Sequence, residues 1–312
     1  MKRVKAIIKR YIARKYALLY FALGAWIFLY LVYITTRTAP FNTPGFYLES
    51  ARQLAANGFV PPAALKGFSL QGLPFAYPPL GIYAYALGGQ ILGDLQAAAL
   101  YIPGLLLPLQ AIAGYVFMKT WGRSEAASQW TAVVLLLLPH MFHHTMYGDG
   151  LTSGLAGLFL LVSWIFAVGP GKTGSTKNMI LGGFFSGLSL LSHPAIGAFS
   201  CLTFAILFIS QNRINLAGLI PLLTAGAAAM IPSLLWLIPV ILQHGITPLK
   251  ASLLDNKSSL YILRNPGEFL YYLYKKHTGT RETPALLFLP FPLSLLYNLV
   301  AGPRVLFLLL LA

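Results

Sequence analysis

Eight apolar runs, each of about 15 residues or more, recur along the chain and are separated by polar connectors. A membrane-spanning helix needs ~20 predominantly apolar residues, and several of these runs are that long. Only 9% of the residues are charged, whereas ordinary soluble domains carry about 25%. The sequence therefore predicts an all-α fold, a polytopic transmembrane helical bundle of about eight to nine spans. The predicted helices are 16–36, 95–118, 125–142, 151–168, 178–192, 195–210, 215–242 and 284–300.

The basic residues indicate how the bundle is oriented. The formal charge is +15, but the Lys and Arg residues lie at the ends of apolar runs and form no folded basic surface, which argues against a nucleic-acid partner. Seven of them precede the first run, which is too long for the core of a cleaved signal peptide. Because cytoplasmic loops carry an excess of Lys and Arg, we expect a multi-pass protein of the cell membrane with a cytoplasmic N-terminus.

This orientation predicts one membrane domain over residues 1–312 with three external loops, at about 37–94, 143–150 and 245–283. In the first loop, residues 46–57 indicate a short helix closed by Gly58, and residues 79–92 form an apolar stretch that favours an interfacial helix because it is too short to span. The final apolar run stops at Ala312 after eight residues. We therefore expect the natural protein to continue beyond it.

Six of the seven acidic residues and all six histidines fall on or near the external side. Among the acids, Asp149 lies between Gly148 and Gly150 at the start of the fourth helix. A backbone without side chains on either side of it lets a ligand approach. Asp149 could therefore meet a ligand there, or it could cap the helix.

The histidines allow two interpretations. Three of them would share one helical face if the third helix reaches them, namely His140, His143 and His144. With Asp149 these three could hold zinc or manganese, or they could be half-buried interfacial side chains. His193 and His244 lie at helix ends. There they could bind phosphate as protonated donors, or they could cap the helices.

Several segments, taken in order, resemble one family. They are GFYLESARQLAANG after the first helix, LPFAYPPLGIYAYALGGQILGD before the second, YGDGLTSGLAGLFLL at the second external connector and GLSLLSHPAIGAF further on. Together they resemble the GT-C superfamily of integral membrane glycosyltransferases, in particular its protein O-mannosyltransferase-like and aminoarabinose-transferase-like branch. The resemblance covers residues 1–245, roughly.

The resemblance implies transfer of a sugar from a polyprenyl-phosphate donor to a glycan, lipid or protein acceptor on the external face, with inversion at the anomeric carbon. A carboxylate would act as general base, and cationic groups or a divalent metal ion would help the phosphate to leave. It implies Asp149 as a catalytic carboxylate, and Glu49 is the candidate for the second one. The implied substrate-binding residues are Tyr47, Arg52, Tyr77, His193 and His244.

One departure from the family leaves the function open. The family's acid in the first loop would fall at Asn42 or Thr43, and neither can act as a base. Glu49 is the nearest substitute, or it is a solvated charge on a helix. The alternatives are therefore a non-catalytic membrane subunit of the same fold that binds lipid or glycan, and a transporter. The transporter is disfavoured because the predicted spans carry no pair of ionisable residues at depth.

Overall fold

The computed structural model describes residues 16–40, 45–70, 72–146, 149–169, 175–211 and 216–248. The chain divides into two compact units, Met1–Ile246 and Thr247–Ala312, and every element below belongs to the first. The elements, in chain order, are α1 (Ala17–Thr36), α2 (Gly45–Ala56), β1 (Ala64–Leu65), β2 (Leu73–Pro74), α3 (Leu80–Leu92), α4 (Leu95–Thr120), α5 (Glu125–Leu137), α6 (Pro139–Thr145), α7 (Gly150–Ala167), α8 (Thr176–Ser192), α9 (Pro194–Gln211) and α10 (Leu216–His244). The predicted helix at 284–300 and most of the loop at 245–283 lie outside the described residues.

The helices confirm the predicted fold class. Within the described residues, five stretches are long and apolar enough to cross a membrane, namely α1, α4, α7, α9 and residues Leu219–His244 of α10. Helix α1 leaves Phe21 and Phe28 70% and 66% exposed, which suits a surface that faces lipid chains. The chain is therefore an all-α, multi-pass membrane protein.

The third predicted helix is interrupted, which corrects its expected end near residue 142. Helix α5 ends at Leu137, and Leu138 has an extended backbone, with φ −63° and ψ 120°. Pro139 then opens the separate helix α6. The break has a local cause, because a residue before proline is disfavoured in helical geometry and proline cannot donate the next helical hydrogen bond.

The predicted first external loop is built from α2, the β1–β2 hairpin and α3. Helix α2 and the left-handed Gly58 that follows it (φ +65°) confirm the predicted short helix. Helix α3 has 13 residues, too few to span a bilayer. The two strands pair antiparallel, Ala64 with Pro74 and Leu65 with Leu73, and were not predicted because two-residue strands have no recognisable sequence period.

Helix α4 lies between two apolar cores. On one side, Leu107 of α4 is buried with Trp26 of α1 and Ala132 of α5. On the other side, Leu106 of α4 is buried with Ile82 of α3 and Leu151 of α7. Adjacent residues of one helix point about 100° apart, so a single helix can serve both cores. This arrangement holds the start of α7 against α3.

Buried hydroxyl groups join the helices that follow. The Ser200 Oγ of α9 lies 3.2 Å from the Ser163 Oγ of α7 and 3.1 Å from the Ser186 Oγ of α8. The indole of Trp164 donates to the Thr203 hydroxyl over 2.8 Å. In lipid the hydrophobic effect does not drive helices together, and hydrogen bonds between helices contribute to their association. These bonds therefore help to hold α7, α8 and α9 together and to position the residues at their ends.

Candidate functional site

Asp149 immediately precedes α7, as the sequence predicts, and it is half-buried. Its carboxylate makes no capping hydrogen bond to the helix. The sequence left open whether Asp149 caps this helix or meets a ligand, and the structure shows that its side chain does not cap the helix. The following glycine is required sterically, because a Cβ at Gly150 would lie 1.8 Å from the carbonyl oxygen of Thr145.

Other groups stabilise the first turn of α7. The Tyr85 phenol oxygen accepts a hydrogen bond from the backbone N–H of Leu151 over 3.3 Å. The hydroxyls of Thr152 and Ser153 donate to the carbonyl oxygen of Asp149 over 2.8 and 3.2 Å. These bonds anchor the backbone of Asp149 without using its carboxylate.

Two tyrosines predicted to bind substrate lie together beside Asp149. The hydroxyl oxygens of Tyr47 in α2 and Tyr77 before α3 are 3.4 Å apart, and their rings are 5.4 Å apart at 78°. Thr152 and Asp149 act on the pKa of both phenols, Thr152 lowering it and the charge of Asp149 raising it. The structure thus brings α2, the segment before α3 and the start of α7 to one place.

Both phenols are held in the protonated form. Burial is the main cause that raises the pKa of Tyr47, and the charge of Asp149 raises it further. Burial likewise raises the pKa of Tyr77 well above its usual range, with added contributions from Tyr47 and Asp149. A phenol in this state keeps its proton at every physiological pH. Because Tyr47 donates to the Tyr77 oxygen over 3.4 Å, the Tyr77 hydroxyl is the donor that the pair can offer to a ligand.

His193 joins this group from the junction of α8 and α9. Its ring meets that of Tyr77 edge-on, with the centroids 6.5 Å apart. Its backbone closes α8 by donating to the carbonyl oxygen of Ser189 over 2.9 Å. The Tyr–Asp–His cluster, as we call Tyr47, Tyr77, Asp149, Thr152 and His193, therefore draws on four separated parts of the chain.

Glu49 and Arg52 form an ion pair on α2. The Arg52 guanidinium donates from Nε over 2.8 Å and from Nη2 over 2.6 Å to the two oxygens of the Glu49 carboxylate. These bonds are the main reason that the pKa of Glu49 lies below its usual value. Gln53 donates to the same carboxylate and bonds in both directions to the backbone of Lys66.

The ion pair and the Tyr–Asp–His cluster use different sides of α2. Tyr47 and Glu49 are two residues apart and so point about 200° apart around the helix. The buried residues of α2 are Ser50, Ala51 and Leu54, while the Arg52 side chain is 64% exposed. Glu49 thus has partners that connect α2 to the hairpin. Its catalytic role, and substrate binding by Arg52, stay predictions.

The three histidines predicted to bind a metal ion are His140, His143 and His144. They do not continue the third predicted helix, because the break at Leu138 places all three in the separate short helix α6. Their side chains lie outside the described part of the structure. Within the residues that are described, no group of three His, Cys, Asp or Glu side chains is placed to hold a metal ion. The metal site at His140, His143 and His144 therefore stays a prediction without support from the described residues.

His244, the other histidine predicted at a helix end, is the last residue of α10 and is half-buried. Its place at the end of the helix is as the sequence predicts. Substrate binding by His244 stays a prediction, because no described contact joins it to the Tyr–Asp–His cluster.

Two residues of the site were missed from the sequence. Thr152 and Tyr85 both lay within quoted segments and were given no role in the site. The contact of Tyr85 with Leu151 joins residues 66 positions apart, a separation at which sequence periodicity carries no information. The one signal for Tyr85 was weak: it is a tyrosine at an otherwise apolar helix position, and a buried phenol usually has a hydrogen-bond partner.

These features define the class of the protein as a multi-pass α-helical membrane protein with a polar cluster where several helices end. The chain belongs to the family described as the 6-pyruvoyl-tetrahydropterin synthase related domain, a family of membrane proteins, which it matches over residues 75–299. The matched range includes Tyr77, Tyr85, Asp149 and His193 and begins after Tyr47. No curated protein and no solved structure matches the chain.

Proposed function

We propose that this membrane protein is a glycosyltransferase of the GT-C type, which transfers a sugar from a polyprenyl-phosphate donor to an acceptor hydroxyl outside the cytoplasm. One observation carries the proposal: the carboxylate of Asp149, at the end of a spanning helix, makes no capping bond and lies near two half-buried, neutral phenols. The family match supports a membrane protein and does not identify the reaction.

In this proposal Asp149 is the general base. It takes the proton of the acceptor hydroxyl while the acceptor oxygen bonds to the anomeric carbon and the bond from that carbon to the phosphate oxygen breaks. The electron pair of that bond leaves with the polyprenyl phosphate, and the anomeric configuration inverts. A positioned base of this kind contributes typically 10²–10⁴-fold to a rate.

The neighbouring groups have complementary roles. Tyr77, as a neutral donor oriented by the hydrogen bond from Tyr47, hydrogen-bonds to a sugar or phosphate oxygen without adding charge next to Asp149. His193, at the edge of the Tyr77 ring, supplies a further donor when it is protonated. The backbone N–H groups at the start of α7 favour negative charge, which suits a departing phosphate. A divalent ion would add to this stabilisation, and carboxylate and imidazole groups are suitable ligands for it.

We also propose the orientation that this chemistry needs. Lys119 and Arg123 lie at the end of α4 opposite Leu95, where the first-loop elements meet α4. Since basic residues favour the cytoplasmic side, the Tyr–Asp–His cluster would face the outside of the cell membrane and the N-terminus the cytoplasm. Lipid-linked sugars would then reach the cluster from the outer leaflet.

A second function is favoured by the state of Glu49. Glu49 is the candidate to replace the family's acid that is missing at Asn42 or Thr43. If Glu49 serves only the ion pair with Arg52, the protein could bind a lipid-linked sugar without transferring it. The fold and the cluster would be the same in such a subunit. The two functions differ only in turnover.

The experiment is transfer by the purified protein, reconstituted in vesicles, from radiolabelled polyprenyl-phosphate sugars to a panel of glycan, lipid and peptide acceptors. Transfer by the wild-type protein that is lost in Asp149→Asn supports the glycosyltransferase. Saturable binding of the donor without transfer supports the subunit. Movement of the sugar lipid across the bilayer without covalent transfer would contradict both and indicate a transporter.

A further inference from the structure

Two helices of this protein begin with an aspartate but use it differently. Before α4, Asp94 has an extended backbone and its carboxylate accepts the N–H groups of Gln96 and Ala97 over 3.0 and 3.1 Å. Before α7, Asp149 has φ −94° and ψ 4° and makes no such bond. Leu151 holds the same place in α7 that Gln96 holds in α4, as the second residue of the helix.

The N–H that an aspartate would accept in α7 is taken by another helix. The Tyr85 phenol oxygen of α3 accepts the Leu151 N–H over 3.3 Å. Tyr85 is completely buried and packs in the core that joins α2, α3, α4 and α7. A buried N–H needs a partner, and this one has it from a side chain that packing holds in place.

We propose that Tyr85 is a positioning residue, which replaces Asp149 as the cap of α7 and so keeps the Asp149 carboxylate available to the Tyr–Asp–His cluster. What the carboxylate then does rests on the proposed function. The replacement of one cap by another does not, because it can be measured as stability in a protein of any activity.

The first test is a double-mutant cycle on the melting temperature of the detergent-purified protein. In the wild-type background Asp149→Ala removes no cap, so we expect the Tm to change by less than about 1 °C. In the Tyr85→Phe background the carboxylate is the available substitute cap, so Asp149→Ala should lower the Tm by about 2–4 °C. An equal effect of Asp149→Ala in both backgrounds would overturn the proposal.

A matched control lies two residues away on the same helix. The Tyr83 hydroxyl donates to the carbonyl oxygen of Phe59 over 2.8 Å and has no part in α7. Tyr83→Phe therefore removes a phenol hydrogen bond of α3 without changing the cap. In this background Asp149→Ala should behave as in the wild type, and a fall of several degrees here would contradict the assignment to Tyr85.

The second test needs no change at Tyr85 and so stands even if Tyr85→Phe fails to fold. Asparagine caps a helix about as well as aspartate, whereas alanine does not. If Tyr85 is the cap, Asp149→Asn and Asp149→Ala should melt within about 1 °C of each other. An alanine variant that melts several degrees below the asparagine variant would show that Asp149 is the cap.

Turnover separates positioning from simple stabilisation. In protein that transfers sugar, Tyr85→Phe should lower kcat at least tenfold at an unchanged KM for the donor, and Tyr83→Phe should change neither. A wild-type kcat in Tyr85→Phe would overturn the positioning role. If the wild type transfers no sugar, the proposed function fails, and the two comparisons of Tm still decide which residue caps α7.

Discussion

The hydroxyl oxygens of Tyr47 and Tyr77 lie 3.4 Å apart although the residues are 30 positions apart in the chain. Burial raises the pKa of both phenols, so folding favours their neutral form. A tyrosine in an unfolded chain ionises near pH 10. The stabilisation is therefore complete below about pH 10 and is lost as the pH rises above it, because only the unfolded chain then releases the protons.

We expect the Tm of the wild-type protein to fall as the pH is raised from 9 to 11, and the fall to be smaller in the Tyr47→Phe/Tyr77→Phe variant. Thermal unfolding in detergent at a series of pH values measures both curves. Parallel curves for the two proteins would show that the two tyrosines make no contribution to the loss of stability at alkaline pH.

A second prediction concerns the contact between α3 and α7. A Cβ at Gly81 would lie 2.2 Å from Cγ2 and 2.8 Å from Cα of Thr152. Gly81→Ala should therefore displace α3 from α7 and destabilise the protein by about 1–3 kcal/mol. Thr152→Ser, which removes Cγ2 and keeps the hydroxyl, should restore part of the loss in the double variant.

The control for this change is Gly24 of α1, where a Cβ would meet no atom within 4 Å. Gly24→Ala should be neutral or slightly stabilising, because alanine is the better helix former. Equal losses of stability in the two variants would mean that helix composition, and not the contact with Thr152, sets the cost.

A third prediction separates the ion pair of α2 from catalysis. If Glu49 serves chiefly to bind Arg52, Glu49→Gln and Arg52→Ala should have the same small effect on transfer. The ion pair should stabilise the folded protein above about pH 4.3, where an unfolded Glu ionises. This stabilisation should disappear as the pH falls, because Arg52 lowers the pKa of Glu49. Loss of transfer in Glu49→Gln with normal transfer in Arg52→Ala would instead establish Glu49 as catalytic.

A fourth prediction tests the orientation. Gln96 and Ala126 are exposed residues near the two ends of α4. In a Cys201→Ala background, which removes the single natural cysteine, Gln96→Cys should react with a membrane-impermeant maleimide added to intact cells. Ala126→Cys should react only after the membrane is opened. The reverse pattern would place the Tyr–Asp–His cluster in the cytoplasm and exclude the proposed acceptor side.

The sequence predicted the helices of the first unit better than their interruptions. Length and hydropathy located the spans, and Gly58 correctly marked the end of the short helix before it. Pro139 was visible as well, but its effect was underestimated, since the apolar run continues past it and the helix does not. The β1–β2 hairpin was too short to leave a pattern.

The candidate site, like the fold, was predicted only in part. The topology placed Asp149 and His193 at helix ends on one side of the bundle, and the family resemblance implied Tyr77 as a substrate-binding residue. Whether Asp149 caps its helix could not be inferred, because the answer depends on Tyr85, 66 residues before Leu151. The surroundings of Glu49 depend on tertiary contacts in the same way, as its neighbour Gln53 is tied to Lys66 of the hairpin.

The most direct test of a catalytic Asp149 compares two identical substitutions at two helix starts. Asp149→Asn and Asp94→Asn each remove one charge and keep an amide that can cap a helix, but only Asp149 lies in the Tyr–Asp–His cluster. In reconstituted vesicles supplied with donor and acceptor, we expect Asp149→Asn to lower kcat for sugar transfer 10²–10⁴-fold or so, and Asp94→Asn to leave it nearly unchanged. Equal kcat values in the two variants would contradict the account.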